Sequence, residues 1–228
     1  MPSENKGSKQ MKRRTLDIAF SIGGLVVAAL LLVLGLVLTN QADFAKGYVH
    51  DQLTDQQITF TAADRLSEDE AASACLVRYA GTPLDSGAKA ECYANEYIAL
   101  HMRESAIEDG YPGETYASIG TAQRQLRADL QTATDAGQPT EAIQAELDTV
   151  NALRDSMFRG ETLRGLLLTT YGFSIFGERA ELAAIIVYLF AGLMALLSIA
   201  GLVHAFTTKK DETVLLVAHE PVKEPELV

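Results

Sequence analysis

The chain has 228 residues, with 19 Lys and Arg against 30 Asp and Glu, a formal charge of −11 and only two cysteines. That acidity argues against nucleic acid or anionic lipid as a partner of its exposed faces. Two cysteines are too few for a disulfide-dense secreted scaffold.

Residues 1–17 carry Lys6, Lys9, Lys12, Arg13 and Arg14 and read as a basic cytoplasmic N-terminus. Ile18 to Leu38 then holds no Asp, Glu, Lys or Arg. At about 1.5 Å per residue it is long enough to cross a hydrocarbon core of roughly 30 Å, so 18–39 reads as a first transmembrane helix. A secretory signal is the rival, but the apolar stretch is long and no A-x-A site follows at Thr39-Asn40-Gln41-Ala42. A second uncharged run, Leu182 to Phe206, reads as transmembrane helix 182–206, followed by Lys209 and Lys210. Basic flanks stay cytoplasmic. Both termini then lie inside the plasma membrane, and residues 40–181 form an extracytoplasmic domain with 23 acidic and 11 basic side chains. Small residues four apart, Gly24/Ala28, Ala191/Ala195 and Gly201/Ala205, offer faces where helix backbones approach closely. His204, at the cytoplasmic edge, reads as an interfacial side chain. Two helices without ionisable groups at depth do not make a channel or transporter.

The external segment reads as helical. Ser67 and Glu70 have capping-box spacing ahead of a helix to Tyr79. Ile58 to Thr61 fits a short extended piece. The Gly81–Gly87 turn separates that first helix from a second, 88–108, with Tyr93, Tyr97, Leu100 and Ile107 on one stripe. A third helix over 116–134 presents Ile119, Ala122, Leu126 and Leu130. Thr140 opens a fourth, striped by Ile143, Leu147, Val150, Leu153, Met157, Gly160, Leu163 and Leu167 at steps of three and four. The third and fourth read as an antiparallel hairpin. Residues 165–176 are apolar and aromatic, interrupted by Gly172 with Gly177 just beyond, and read as a broken segment settling on the bilayer surface or docking on a neighbouring subunit. The tail 207–228 reads as flexible and cytoplasmic, with Val214 to Val217 able to lie against a partner or the bilayer. The predicted class is an all-α membrane protein: two transmembrane helices flanking an extracytoplasmic helical-hairpin domain.

Cys75 and Cys92 fall in the helices on either side of the Gly81–Gly87 turn and would face each other in a hairpin. In an oxidising compartment a disulfide is the favoured reading. The rival, a metal site with His101, matches no zinc spacing. No G-x-S-x-G, P-loop, G-x-G-x-x-G or H-E-x-x-H occurs, so no catalytic residue, cofactor or metal ligand is assigned and no enzyme is expected.

The Asp17-Ile18-Ala19-Phe20-Ser21-Ile22-Gly23-Gly24 start, the Cys75/Cys92 pair and the Thr170-Tyr171-Gly172-Phe173-Ser174-Ile175-Phe176-Gly177-Glu178 approach carry a resemblance. The chain resembles small actinobacterial two-span membrane proteins, one group of which is similar to the accessory factor of the cytochrome bcc–aa3 respiratory supercomplex. The likeness covers most of residues 15–206 as an architecture and contains no catalytic motif. It implies a non-catalytic accessory or structural subunit without cofactors. Its partners would be membrane lipid and integral membrane subunits, cytochrome bcc and aa3 oxidase components among them. Partner contact is expected at Tyr171, Phe173 and Phe176 and on the small face of Ala191, Ala195, Gly201 and Ala205. A membrane-anchored extracytoplasmic ligand-binding or sensor module is the alternative.

Overall fold

The computed structural model describes residues 10–207, 209 and 213–215. The expectations attached to Lys6, Lys9, Lys210 and the tail from Leu216 onward lie outside these residues. Seven α-helices account for most of the described chain: α1 (Arg13–Thr54), α2 (Glu68–Ala71), α3 (Ala74–Tyr79), α4 (Gly87–Cys92), α5 (Ala99–Glu108), α6 (Gly120–Asp135) and α7 (Glu141–Thr207). A π-helical segment, Tyr93–Ile98, joins α4 to α5. β1 (Gln10–Lys12) pairs antiparallel with β2 (Thr213–Leu215), so the backbone of Val214 is matched to Met11 of the same chain. Helices α1 and α7 are each long and apolar enough to cross a bilayer. The chain divides into two compact units, one of residues 1–40 with 180–228, the other of residues 41–179.

In the first unit the two apolar helices pair antiparallel. Gly24 faces Ser198, Gly35 faces Tyr188 and Gly201 faces Ser21. Buried positions recur every seven residues, Ser21, Ala28 and Gly35 on α1 with Gly24 between the first two, and Ala184, Ala191, Ser198 and Ala205 on α7. A seven-residue repeat is the seam of a left-handed helix pair. Of the expected pairs four apart, Gly24 and Ala28 are both buried, whereas Ala195 and Gly201 are half-buried beside buried Ala191 and Ala205. Small side chains bring the backbones together, and large ones (Phe20, Leu30, Leu36, Leu189, Leu196, Leu197) stand outward. That is the reverse of a water-soluble core and matches an apolar solvent. At one end His204 Nδ1 lies 3.0 Å from Asp17 Oδ2, and the Arg14 guanidinium lies over the Phe206 ring at 5.3 Å.

The second unit has two cores. Around Val49, Leu53, Phe60, Leu76, Leu84, Ile98 and Leu167 pack residues of α1, α3, α4, the π segment and α7. Ser67 caps α2 as its spacing predicts: its hydroxyl accepts from Glu70 N at 3.1 Å, and the Glu70 carboxylate accepts from Ser67 N at 2.8 Å. The single helix expected to Tyr79 is divided, because Ser73 is extended (φ −86°, ψ 114°) between α2 and α3. The Ile58–Thr61 piece is extended, and Leu84 N donates to Ile58 O at 2.8 Å while Phe60 N donates to Thr82 O at 3.0 Å. Cys75 and Cys92 form the disulfide, with Cα atoms 6.1 Å apart.

The expected stripe through Tyr93, Tyr97, Leu100 and Ile107 fails at its end. Ile107 is exposed and Ala106 is buried in its place. The π segment is the reason. A π turn takes up one extra residue, so every later side chain is set back by one position. The inward stripe runs instead through Ala90, Ala94, Ile98, Met102 and Ala106 in steps of four.

The second core joins Ala106 and Ile119 to Val150, Leu153 and Met157 of α7. Helix α6 begins at Gly120, four residues later than the sequence suggests, after a turn at Thr115–Ser118 held by Ser118 Oγ and Thr115 N at 2.9 Å. It ends in a Schellman motif: Gly137 sits at φ +62°, Gln138 N donates to Ala133 O at 2.9 Å and Gly137 N to Thr134 O at 3.1 Å. The Gln123–Asn151 hydrogen bond across that turn sets α6 beside the start of α7. The stripe from Leu147 to Leu167 faces inward. Residues 165–176 are continuous helix, not the broken segment expected. Glycine inside a helix costs only about 1 kcal/mol relative to alanine, and no proline occurs between Pro139 and Pro221. Buried Gly177 is used: a Cβ there would come within 3.0 Å of Ala45 Cβ.

Candidate functional site

Near the end of the second unit that leads in sequence to the apolar runs, α1 and α7 present rings to solvent. Phe44 stacks on Tyr48 with centroids 5.8 Å apart, and Tyr48 meets Phe173 edge to face at 6.0 Å. All three are exposed, and Phe176 is 74% exposed. The helical spacing makes this surface: Phe44 and Tyr48 are one turn apart on α1, and the close approach of Gly177 to Ala45 holds α7 beside them. Tyr171 is half-buried, and its carbonyl accepts from buried Ser174 Oγ at 2.7 Å. Sequence reasoning singled out Phe173 and Phe176. The meeting of Phe44 and Tyr48 with Phe173 is not visible in the sequence, because it crosses more than 120 residues of chain.

The other expected contact residues lie in the first unit. Ala191 and Ala205 are buried within this chain, Gly201 faces Ser21 of its own α1, and Ala195 is half-buried.

A polar cluster between α6 and α7 was not legible beforehand. Gln123 is 8% exposed on an otherwise apolar face. Its Nε2 donates to Asn151 Oδ1 at 2.6 Å, and its Oε1 accepts from Arg154 Nη1 at 3.1 Å. Arg154 lies over the Tyr116 ring at 4.9 Å, and its buried Nε–H has no hydrogen-bond partner among the described residues. Such an orphan costs about 1–3 kcal/mol. A polar residue in step with Ile119 and Leu126 was the available signal.

A third cluster surrounds Glu70, which is 4% exposed. Beyond its cap, its Oε1 lies 3.4 Å from Thr61 Oγ1 and 3.9 Å from His101 Nε2. Tyr93, Tyr97 and His101 stack in sequence, at 4.5 and 4.2 Å. Burial pushes the Tyr93 phenol up to about 12, helped by Tyr97 and the Glu70 charge. The arrangement holds Glu70 by hydrogen bonds and fixes the ring stack. Among the described residues no group of three or more His, Cys, Asp or Glu is placed to hold a metal ion.

No family model matches this chain, and comparisons with curated proteins and with solved structures yield no match either.

Proposed function

We propose that this chain is a non-catalytic accessory subunit of a larger integral membrane complex, anchored by two transmembrane helices. The observation that carries the reading is the exposed ring surface of Phe44, Tyr48, Phe173 and Phe176. In sequence, Phe44 follows Leu38 by six residues and Phe176 precedes Leu182 by six, next to the ends of the apolar runs, and aromatic side chains gather where such runs meet the headgroups. Aromatic side chains are also the residues that dominate protein interfaces. The seam between α1 and α7 occupies Ala191, Gly201 and Ala205 internally, which leaves the large apolar faces for lipid and neighbouring subunits. In this reading both termini are cytoplasmic, and residues 40–181 stand outside. Lys12, Arg13, Arg14 and Lys209 support that orientation by their position. The Cys75–Cys92 disulfide supports an oxidising side for the domain. The partner class, cytochrome bcc and aa3 components, rests on the resemblance of the membrane-proximal segments alone.

The test is mild extraction with an affinity tag and identification of what co-purifies in stoichiometric amount. A respiratory complex is expected, and Phe176→Ala with Phe44→Ala should reduce its recovery while the chain remains inserted. Recovery of the wild-type chain as a clean monomer defeats the proposal. Orientation is checked separately by an impermeant thiol reagent in intact cells. A cysteine introduced at Ser118 should label, and one at Ser3 should not.

A further inference from the structure

A cavity of about 270 Å³ opens between α6 and α7, lined by Tyr116, Gln123, Asn151, Arg154, Asp155 and Phe158. Its hydrogen-bond polarity follows from one residue. Arginine only donates, so the Gln123 atom 3.1 Å from Arg154 Nη1 is the carbonyl oxygen. The Gln123 amide nitrogen then faces Asn151, which must turn its own oxygen toward it at 2.6 Å. Asn151 is left with its NH₂ group as a spare donor, beside the remaining N–H groups of the guanidinium.

The charge is as one-sided. In a segment with 23 acidic residues, Arg154 has no carboxylate partner among the described residues. Asp155, the acid lining the cavity, is held by Arg159 at 2.7 Å. Arg154 rests instead on the Tyr116 ring, a weaker partner than a carboxylate. Phe158, exposed, meets Tyr116 with centroids 5.4 Å apart, so the wall beside the donors is aromatic.

We propose that this cavity binds a small monoanionic carboxylate carrying an apolar body. The carboxylate takes the donors of Arg154 and Asn151, and the body lies against Tyr116 and Phe158. A single cation with Asp155 nearby suits one negative charge better than the two of a phosphate monoester. The volume admits a group the size of a benzoate and is below that of ordinary drug-sized sites. The inference is independent of the accessory-subunit reading, since the residues that carry it lie on α6, the preceding turn and the N-terminal part of α7.

The test uses the full chain in lipid nanodiscs, with the Asn151 side-chain NH₂ resonances as a local readout and benzoate as the probe. Benzoate should shift them saturably, and benzamide, the neutral analogue, should not. Arg154→Met should weaken benzoate binding about tenfold or more, the loss of one charged hydrogen-bond pair. Phe158→Ala, at an exposed position, should weaken it while leaving the fold intact, and this decides the matter if Arg154→Met does not fold. The proposal is overturned if benzoate gives no saturable shift, if benzamide binds equally well, or if a folded Arg154→Met chain binds benzoate unchanged.

Discussion

The ring of Tyr188 covers Gly35, and its hydroxyl lies 3.1 Å from Thr39 Oγ1, which donates to the Gly35 carbonyl at 3.0 Å. A Cβ at Gly35 would stand 2.5 Å from the ring. One glycine therefore both admits an aromatic side chain and lends its carbonyl to the polar group that anchors it. In lipid a buried hydroxyl without a partner is costly; here the Tyr188 hydroxyl donates to Thr39 Oγ1, whose own proton goes to the Gly35 carbonyl.

The same seam separates two adjacent glycines. Gly24 faces Ser198 and Met194, whereas Gly23 has open space around it. Gly24→Leu should lower the thermal stability of the purified protein in detergent by overpacking, about 1–3 kcal/mol. Gly23→Leu should leave it near wild type. Equal melting shifts for both variants would show that the helices do not pair through this face.

Removal of the Cys75–Cys92 bridge should destabilise the second unit by about 3 kcal/mol in the chain-entropy model. Chemical denaturation of Cys75→Ser with Cys92→Ser measures this. Peptide mapping without reductant should recover the two cysteines in one linked pair, and two free thiols in protein from its native membrane would refute the bridge.

Alkaline titration should reveal Tyr93. Its folded value, about 12, lies above the ordinary 10 for an unfolded tyrosine. Its stabilising contribution is therefore complete below pH 10, and is lost as pH rises from about 10 to about 12, where only the unfolded chain has released the proton. Phenolate absorbance should show a late-ionising tyrosine that Tyr93→Phe removes. Tyr111 shifts the same way through burial and its hydrogen bond to Glu146, so the double variant should remove a second.

Gly160 and Gly165 should respond oppositely to substitution. A Cβ at Gly160 would meet the Met102 side chain, with Cγ at 2.9 Å, while Gly165 has nothing near. Gly160→Leu should destabilise the second unit. Gly165→Ala should stabilise it slightly, by up to about 1 kcal/mol, from helix propensity alone. Denaturant midpoints of the two variants provide the comparison.

The long elements were legible because their signals are local and repeated. The stripe from Leu147 to Leu167 and the two uncharged runs need no knowledge of distant residues. The Ser67 cap and the extended Ile58–Thr61 piece were equally readable, since each motif is complete within a few positions. Other features depend on residues the fold brings together. Ile107 and Ala106 exchange places because of a π turn that Tyr93 to Ile98 do not announce. Gly172 and Gly177 do not break the helix, and the neighbour packed against Gly177, Ala45, is far away in sequence. Gln123, Asn151 and Arg154 are 28 and 31 residues apart across a turn, and only the hairpin makes them one cluster.

The π segment also records where this chain can change in length. Its extra residue is accommodated in place, and Arg164 holds the loosened backbone, with Nε donating to Ala94 O at 3.0 Å and Nη2 lying 3.4 Å from Asn95 Oδ1. Deleting one residue between Tyr93 and Ile98 would return the segment to ordinary helix and leave Ala90 and Ala106 pointing as they do now. The same deletion elsewhere in α4 or α5 would rotate one buried face away from the core. A one-residue deletion in this helix is thus confined by geometry to a single turn, and that turn is the one docked by Arg164.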